Sequence, residues 1–259
     1  MKIAISGKGG VGKTTLAAIL AQTFAEWGNE VLAVDADPSP CLAEALGFPA
    51  ELRQKLQPIA EMDDLIEERT GAKPGTVGGF FTLNPRVDDI PERFSVEYKG
   101  VRLLEMGSVE LGGSGCICPE SAMLKSLFTH LLFRKDDILI LDMYAGVEHL
   151  GRATVDFVDA MLIVAEPTKR SLGTAAQIKK LAEDIGLKHL WLVGNKVQGE
   201  QDAAFFRAET PNLAIIGLLP ADPRVREADR MQVSVYEYVP ALRKAANDIG
   251  KVLQEKVSL

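Results

Sequence analysis

Hydrophobic and polar positions alternate between two patterns along the chain. Short apolar runs at 2–6, 30–35, 101–106, 138–142, 160–165, 188–194 and 213–218 have the length of buried strands. Between them, apolar residues recur at helical spacing over 14–27, 40–47, 119–132, 168–184, 222–230 and 238–257. Such alternation predicts an α/β fold, a mostly parallel central sheet with helices on both faces. Ligands in these sheets bind beyond the carboxyl ends of the strands. The residues just after each apolar run are therefore where chemistry is expected.

One region breaks the rhythm. Residues 48–100 hold Pro49, Pro58, Pro74, Pro85 and Pro91, the cluster Gly75-Thr76-Val77-Gly78-Gly79 and an exposed-looking Phe80-Phe81, with a helix near 60–70. The stretch is too short and too broken to bury a core of its own. It is expected to be an irregular insertion in one domain spanning 1–259.

The first apolar run leads into Ser6-Gly7-Lys8-Gly9-Gly10-Val11-Gly12-Lys13-Thr14-Thr15. Gly7, Gly12, Lys13 and Thr14 match the phosphate-cradling pattern G-x-x-x-x-G-K-S/T, between a strand and a helix as the pattern requires. Backbone N–H groups at Gly9, Gly10, Val11 and Gly12 and a helix N-terminus would then face an anion. Lys13 reaches the β/γ-phosphates, and the Thr14 hydroxyl is placed to ligate Mg²⁺ beside Thr15. The fold expected is that of a P-loop NTPase.

A second lysine, Lys8, follows the first glycine of the loop. With it the chain resembles the deviant Walker A ATPases, which include Min and Par positioning proteins, nitrogenase reductase and metal-insertion ATPases. The resemblance implies that Lys8 reaches across a homodimer to the partner's nucleotide. It also assigns Val31-Leu32-Ala33-Val34-Asp35-Ala36-Asp37 to the first switch, with Asp37 orienting the attacking water and Asp35 near the Mg²⁺ hydration shell. Ile138-Leu139-Ile140-Leu141-Asp142 delivers a carboxylate to a strand end as a Walker B candidate. In the following switch, Gly146 can offer its N–H to the γ-phosphate with no side chain in the way. Glu148 and His149 read equally well as helix-start polarity or as chemical groups. The resemblance implies that Asn195 pairs with adenine and that Leu219 to Pro223, including Pro220 and Asp222, lines the base from the other side. Asn195-Lys196 is followed by Val197-Gln198, without the aspartate that reads guanine. ATP is therefore the expected nucleotide.

Composition narrows the partners. The chain has 259 residues, 47% hydrophobic, and a net charge of −7 without a dense basic block, so it offers no counterion-release footprint for nucleic acid. It has no run of 18 apolar residues, and the N-terminus enters a strand at once, so neither a membrane span nor a signal peptide is expected. The helix from Pro240 to Val257 mixes Arg243, Lys244 and Lys251 with Asp248 and Glu255, unlike a membrane anchor, and is expected to pack on the sheet. Three cysteines do not make a disulfide framework, which points to a reducing, cytoplasmic setting.

Two of those cysteines carry the sharpest signal. Gly112-Gly113-Ser114-Gly115-Cys116-Ile117-Cys118-Pro119-Glu120 places two thiols at i and i+2 in a glycine-rich loop before a helix. One chain then offers two soft ligands where a closed site needs four, and a two-fold dimer would supply Cys₄ for Zn²⁺ or Ni²⁺. A disulfide or two unremarkable thiols are the other readings of the spacing. Together with Asp-Ala-Asp-Pro and Asp142-Met143-Tyr144-Ala145-Gly146-Val147-Glu148-His149, this stretch resembles the CooC-type ATPases. These assist nickel insertion into carbon monoxide dehydrogenase, and a related factor serves acetyl-CoA synthase. The resemblance implies nickel or zinc at Cys116 and Cys118 and a nickel enzyme as client. Ala145 stands where nitrogenase-type reductases place a cluster cysteine. A positioning or assembly switch of the Min/Par type without metal delivery is the alternative. Cys41, outside the pair, is expected to be a buried helix-start cysteine.

Overall fold

The computed structural model describes residues 1–75, 80–107, 118–134, 138–144 and 157–257. Its strands are β1 (Lys2–Gly7), β2 (Val31–Ala36), β3 (Val96–Tyr98), β4 (Val101–Glu105), β5 (Ile138–Met143), β6 (Ala160–Ala165), β7 (Leu190–Val197) and β8 (Ile215–Pro220). They form one sheet in the order β3-β4-β2-β5-β1-β6-β7-β8. Neighbours run parallel throughout, apart from the antiparallel β3–β4 pair at one edge. β1 lies between β5 and β6, where the winding of the chain turns back, so the loop after β1 opens into the crevice that such a reversal creates.

The helices are α1 (Lys13–Glu26), α2 (Leu42–Leu46), α3 (Ala50–Arg53), α4 (Asp63–Thr70), α5 (Ile90–Phe94), α6 (Pro119–Phe133), α7 (Lys169–Ile185), α8 (Glu200–Glu209), α9 (Arg224–Met231), α10 (Val235–Tyr238) and α11 (Pro240–Val257). Alternate strand residues feed opposite cores, as the period of two dictates. Ile3, Ile5, Ala33, Ile140 and Leu162 pack with α1 and α11, and Ala4, Leu32, Val34, Leu141 and Ile163 pack with α4, α6 and α7. α1 is buried along its length because it lies between the sheet and the layer formed by α2, α10 and α11. This explains a helix with so little amphipathic contrast. α11 packs as expected, with Leu242, Ala246, Ile249 and Leu253 buried against α1 and β8. Among the described residues no helix is long and apolar enough to cross a membrane.

The stretch 48–100 is more ordered than its prolines predict. Besides α4, where a helix was expected, it contributes α3, α5, the short edge strand β3 and a 3₁₀ turn at Ile59–Glu61. α4 and that turn pack on α6, and the Ala60 N–H donates to the Met106 carbonyl at 3.1 Å. Arg69 in α4 holds Asp89 at 2.8 Å, just before α5. Phe80 is fully exposed as expected, whereas Phe81 is half-buried. α8 was not anticipated either, because it buries only Ala203 and Phe206 and so lacks a repeating apolar stripe.

Candidate nucleotide site

The loop between β1 and α1 is shaped by two close approaches. A Cβ on Gly7 would lie 2.5 Å from the Val164 carbonyl of β6, so only glycine lets the strands meet there. Gly12 sits at φ +98°, and a Cβ there would lie 2.2 Å from Asn195 Nδ2. Between them the Val11 N–H turns back to the Lys8 carbonyl at 3.4 Å. α1 then begins at Lys13 with no acidic residue in its first turn, and the Gly12 N-cap has no side chain to satisfy it. Its first N–H groups are left for an anion, which the helix dipole also favours. Lys13 is 7% exposed, and Lys8, Thr14 and Thr15 are half-buried.

Three carboxylates stand level on adjacent strands. Asp35 of β2 is in register with Glu105 of β4 on one side and Asp142 of β5 on the other. Their environments set their roles. Asp142 is 1% exposed, and among the described residues neither carboxyl oxygen has a hydrogen-bond partner. Burial and then the charge of Asp35 push its carboxyl up to about 7, while the nearby Thr14 hydroxyl and Lys13 ammonium pull it back. A buried carboxylate left this way is a misfit until a cation arrives. With Thr14 beside it the donor set is hard oxygen, which fits Mg²⁺ completed by water and phosphate oxygens.

Asp35 is committed differently. One oxygen accepts the Asp37 N–H at 3.0 Å, and the other accepts the Cys41 and Leu42 N–H groups at 2.9 Å each. Burial still raises its pKa, but these three bonds oppose the rise. Asp35 thus folds the segment 37–42 over the strand end. The turn presents Asp37, half-exposed, whose carboxylate accepts the Ser39 N–H at 3.0 Å.

The same turn corrects the reading of Cys41. It is exposed, not buried, at the N-cap of α2, with its sulfur 3.7 Å from the Thr14 hydroxyl. Asp35 draws the backbone of Cys41 and Leu42 to the strand end, which turns residue 41 toward the mouth of the site and away from the core. Partial burial, and then the charges of Asp35, Asp142 and Asp37, push its thiol up, with the Thr14 hydroxyl opposing.

A cavity of about 550 Å³ continues from the loop, lined by Gly10, Gly12 and Thr15 on one side and by Asn195, Pro220 and Asp222 on the other. Asn195 is nearly buried. It donates to the Val11 carbonyl at 2.7 Å and accepts the Lys196 N–H at 2.8 Å. One amide hydrogen and one lone pair remain for a base. Asp222 is tied to Arg224 at 2.6 Å, and that guanidinium holds its carboxyl below the usual range.

A strand, a phosphate loop, a buried orphan carboxylate and a base-sized cavity meet at one end of the sheet. Residues 2–235 match the model of the CobQ/CobB/MinD/ParA nucleotide binding domain. The chain belongs to this family. It is 45% identical over 257 residues to the carbon monoxide dehydrogenase accessory protein CooC of Rhodospirillum rubrum, covering 99% of this chain and 97% of that one. An uncharacterized ATP-binding protein of Methanocaldococcus jannaschii is 44% identical over 261 residues, covering 100% and 98%. The fold is similar to that of the MinD cell division protein of Aquifex aeolicus, with a TM-score of 0.69, 22% identity and coverage of 98% and 97%. It is also similar to a ParA family ATPase of Chlorobium tepidum, with a TM-score of 0.70, 18% identity and coverage of 96% and 98%.

Within this MinD/ParA-type site, several residues singled out from the sequence fall outside the described ones: Gly112, Gly113, Gly115 and Cys116, and Gly146, Glu148 and His149. Cys118 is described. It is the half-buried N-cap of α6, with its sulfur 3.1 Å from the Ser121 hydroxyl. Two residues on, Glu120 accepts the Gly75 N–H at 2.6 Å, tying α6 to the insertion. Among the described residues no group of three or more His, Cys, Asp or Glu is placed to hold a metal ion. Glu105 was missed from the sequence, because it stands inside the run 101–106.

Proposed function

We infer that this chain is an ATP-driven accessory protein of the CooC kind, which carries nickel for carbon monoxide dehydrogenase or acetyl-CoA synthase. The observation that carries the reading is the 45% identity to CooC along 99% of the chain, joined to the motif Cys116-Ile117-Cys118-Pro119-Glu120. In this reading Lys13 and the N–H groups at the start of α1 hold the phosphates. Thr14 and Asp142 hold Mg²⁺, which neutralises phosphate charge when bound. Asp37 orients the attacking water in slow hydrolysis, and Asn195 with Pro220 and Asp222 receives adenine. Lys8 reaches the nucleotide of a second copy, so that ATP draws two chains together.

Nickel is the cargo. Two thiolates per chain require a second chain to close a four-sulfur site, so one metal per dimer follows from ligand count. Thiols of this kind remain free in a reducing cytoplasm. Helix α6 follows Cys118 and precedes β5, which bears Asp142, and so joins the two sites along the chain. The test is nickel titration of reduced protein, following the thiolate-to-nickel charge-transfer band with ADP or ATP present. One nickel per two chains is expected, lost in the Cys116→Ser/Cys118→Ser variant and weaker in one nucleotide state. Unchanged nickel binding by that double variant would overturn the metal site.

A further inference from the structure

The cavity wall contains a feature that neither phosphate binding nor metal delivery explains. At the end of β7 the register with β8 breaks between Gly194 and Val197, and Lys196, within that break, sits at φ +58°. A β-bulge re-aims the side chain it contains. A non-glycine residue held in the left-handed region is strained, by more than an exposed ion pair typically returns. The Lys196 side chain shows what the strain achieves. Its ammonium donates to the Gly10 carbonyl at 2.9 Å and forms an ion pair with Glu166. Glu166 is itself fixed, because its N–H donates at 3.0 Å to the Ser171 hydroxyl at the start of α7. The neighbouring Asn195 holds the Val11 carbonyl at 2.7 Å. Two successive carbonyls of the phosphate loop, Gly10 and Val11, are thus gripped by two successive residues of β7.

We propose that Lys196, steadied by Glu166, is a positioning residue that holds the tip of the phosphate loop in its nucleotide-ready shape before nucleotide arrives. The proposal rests on the nucleotide site described above and adds to it a brace outside the phosphate-binding motif. Gly10 lies between Lys8 and Lys13, so the position of its carbonyl sets the path of the backbone that presents both lysines. Both Gly10 and Lys196 line the cavity, so the brace spans the nucleotide's own pocket. The ammonium fixes the direction of that carbonyl, and with it the peptide unit that carries the Val11 N–H. Without the brace, the loop has to be ordered by the nucleotide itself, and that ordering weakens binding.

Three variants separate this role from others. Lys196→Met keeps the apolar stem that lines the cavity and removes the charge. Lys196→Gly also relieves the left-handed backbone, and Glu166→Gln removes the anchor. Binding of a fluorescent ATP analogue with Mg²⁺ is measured alongside thermal unfolding, with Lys13→Ala as the blank for nucleotide binding as such. Lys196→Met and Lys196→Gly are expected to raise Kd about 5–10-fold, and Glu166→Gln less. Lys196→Gly should leave the melting temperature unchanged or higher, and Lys196→Arg should restore most of the affinity. Hydrogen exchange of residues 8–12 in the nucleotide-free protein should quicken in Lys196→Met without a change in the core strands. Wild-type affinity in Lys196→Met and Lys196→Gly would overturn the proposal. So would a loss of affinity matched by a general loss of stability. A wild-type protein that binds no better than Lys13→Ala would instead refute the nucleotide site on which the brace depends.

Discussion

Glu105 shows how strongly one residue depends on its neighbours across the sheet. It stands level with Asp35, and burial followed by the charges of Asp35, Glu44 and Glu61 pushes its carboxyl from 4.5 up to about 7. The folded chain therefore keeps a proton on Glu105 that the unfolded chain has already released at intermediate pH. Its contribution to stability is complete below about pH 4.5 and lost as pH rises through about 7. Glu105→Gln should remove that loss. At pH 8 the variant should be more stable than wild type by about 1–2 kcal/mol, allowing for solvent screening of a half-buried group, and the gap should close toward pH 5. Denaturant melts at the two pH values check it, and equal stability at pH 8 would show that the charge is compensated. At this scale the sequence was partly legible. Asp35 and Asp142 end apolar runs and are visible as strand-end carboxylates, whereas Glu105 stands inside the run 101–106 and was not singled out. Which of them is tied down and which is left open depends on the backbone N–H groups of residues 37–42, and no spacing reveals that.

At the level of elements, a short polar chain locks the helical layer over α1. Ser234, at the start of α10, donates to the Gln22 side chain of α1 at 2.6 Å, and Gln22 donates in turn to the Leu46 carbonyl of α2 at 3.0 Å. Ser234 and Gln22 are 3% and 6% exposed, so a missing partner cannot be replaced by water. Ser234→Ala should destabilise the fold by about 1–3 kcal/mol, read as a lower urea midpoint at unchanged slope. A midpoint within error of wild type would mean that the layer is held by apolar packing alone. The longer elements were readable because each is a long apolar run or a helix-spaced apolar pattern: β1, β2, β5 and β6 and helices α1, α6, α7 and α11 lie within a residue or two of those stretches. The three-residue β3 and the weakly buried α8 were not, because partners far away in sequence stabilise them, and local pattern does not.

For the whole molecule, the decisive prediction concerns a second copy. If Lys8 acts across a dimer, a chain lacking it and a chain lacking Asp37 complement each other, because one of the two composite sites keeps both groups. Lys8→Ala and Asp37→Ala chains should each be inactive alone and recover up to about a quarter of wild-type hydrolysis when mixed one to one. Light scattering should show a dimer with ATP under anaerobic conditions. A protein that stays monomeric with ATP would remove the trans role of Lys8.

The sequence alone determined the class of fold and marked out the glycine loop between its first strand and first helix, because these rest on contiguous residues. A strand, free N–H groups and a helix start follow one another along the chain, and each has a local physical requirement. Only the tertiary structure decided why Gly12 must be glycine, since the atom it avoids belongs to Asn195, and why Cys41 faces the nucleotide site instead of the core. It alone showed Lys196 gripping the loop from a broken strand 186 residues away. These features arise where the sheet brings distant strand ends to one edge. Their chemistry is set by distance in space, which residue spacing does not encode.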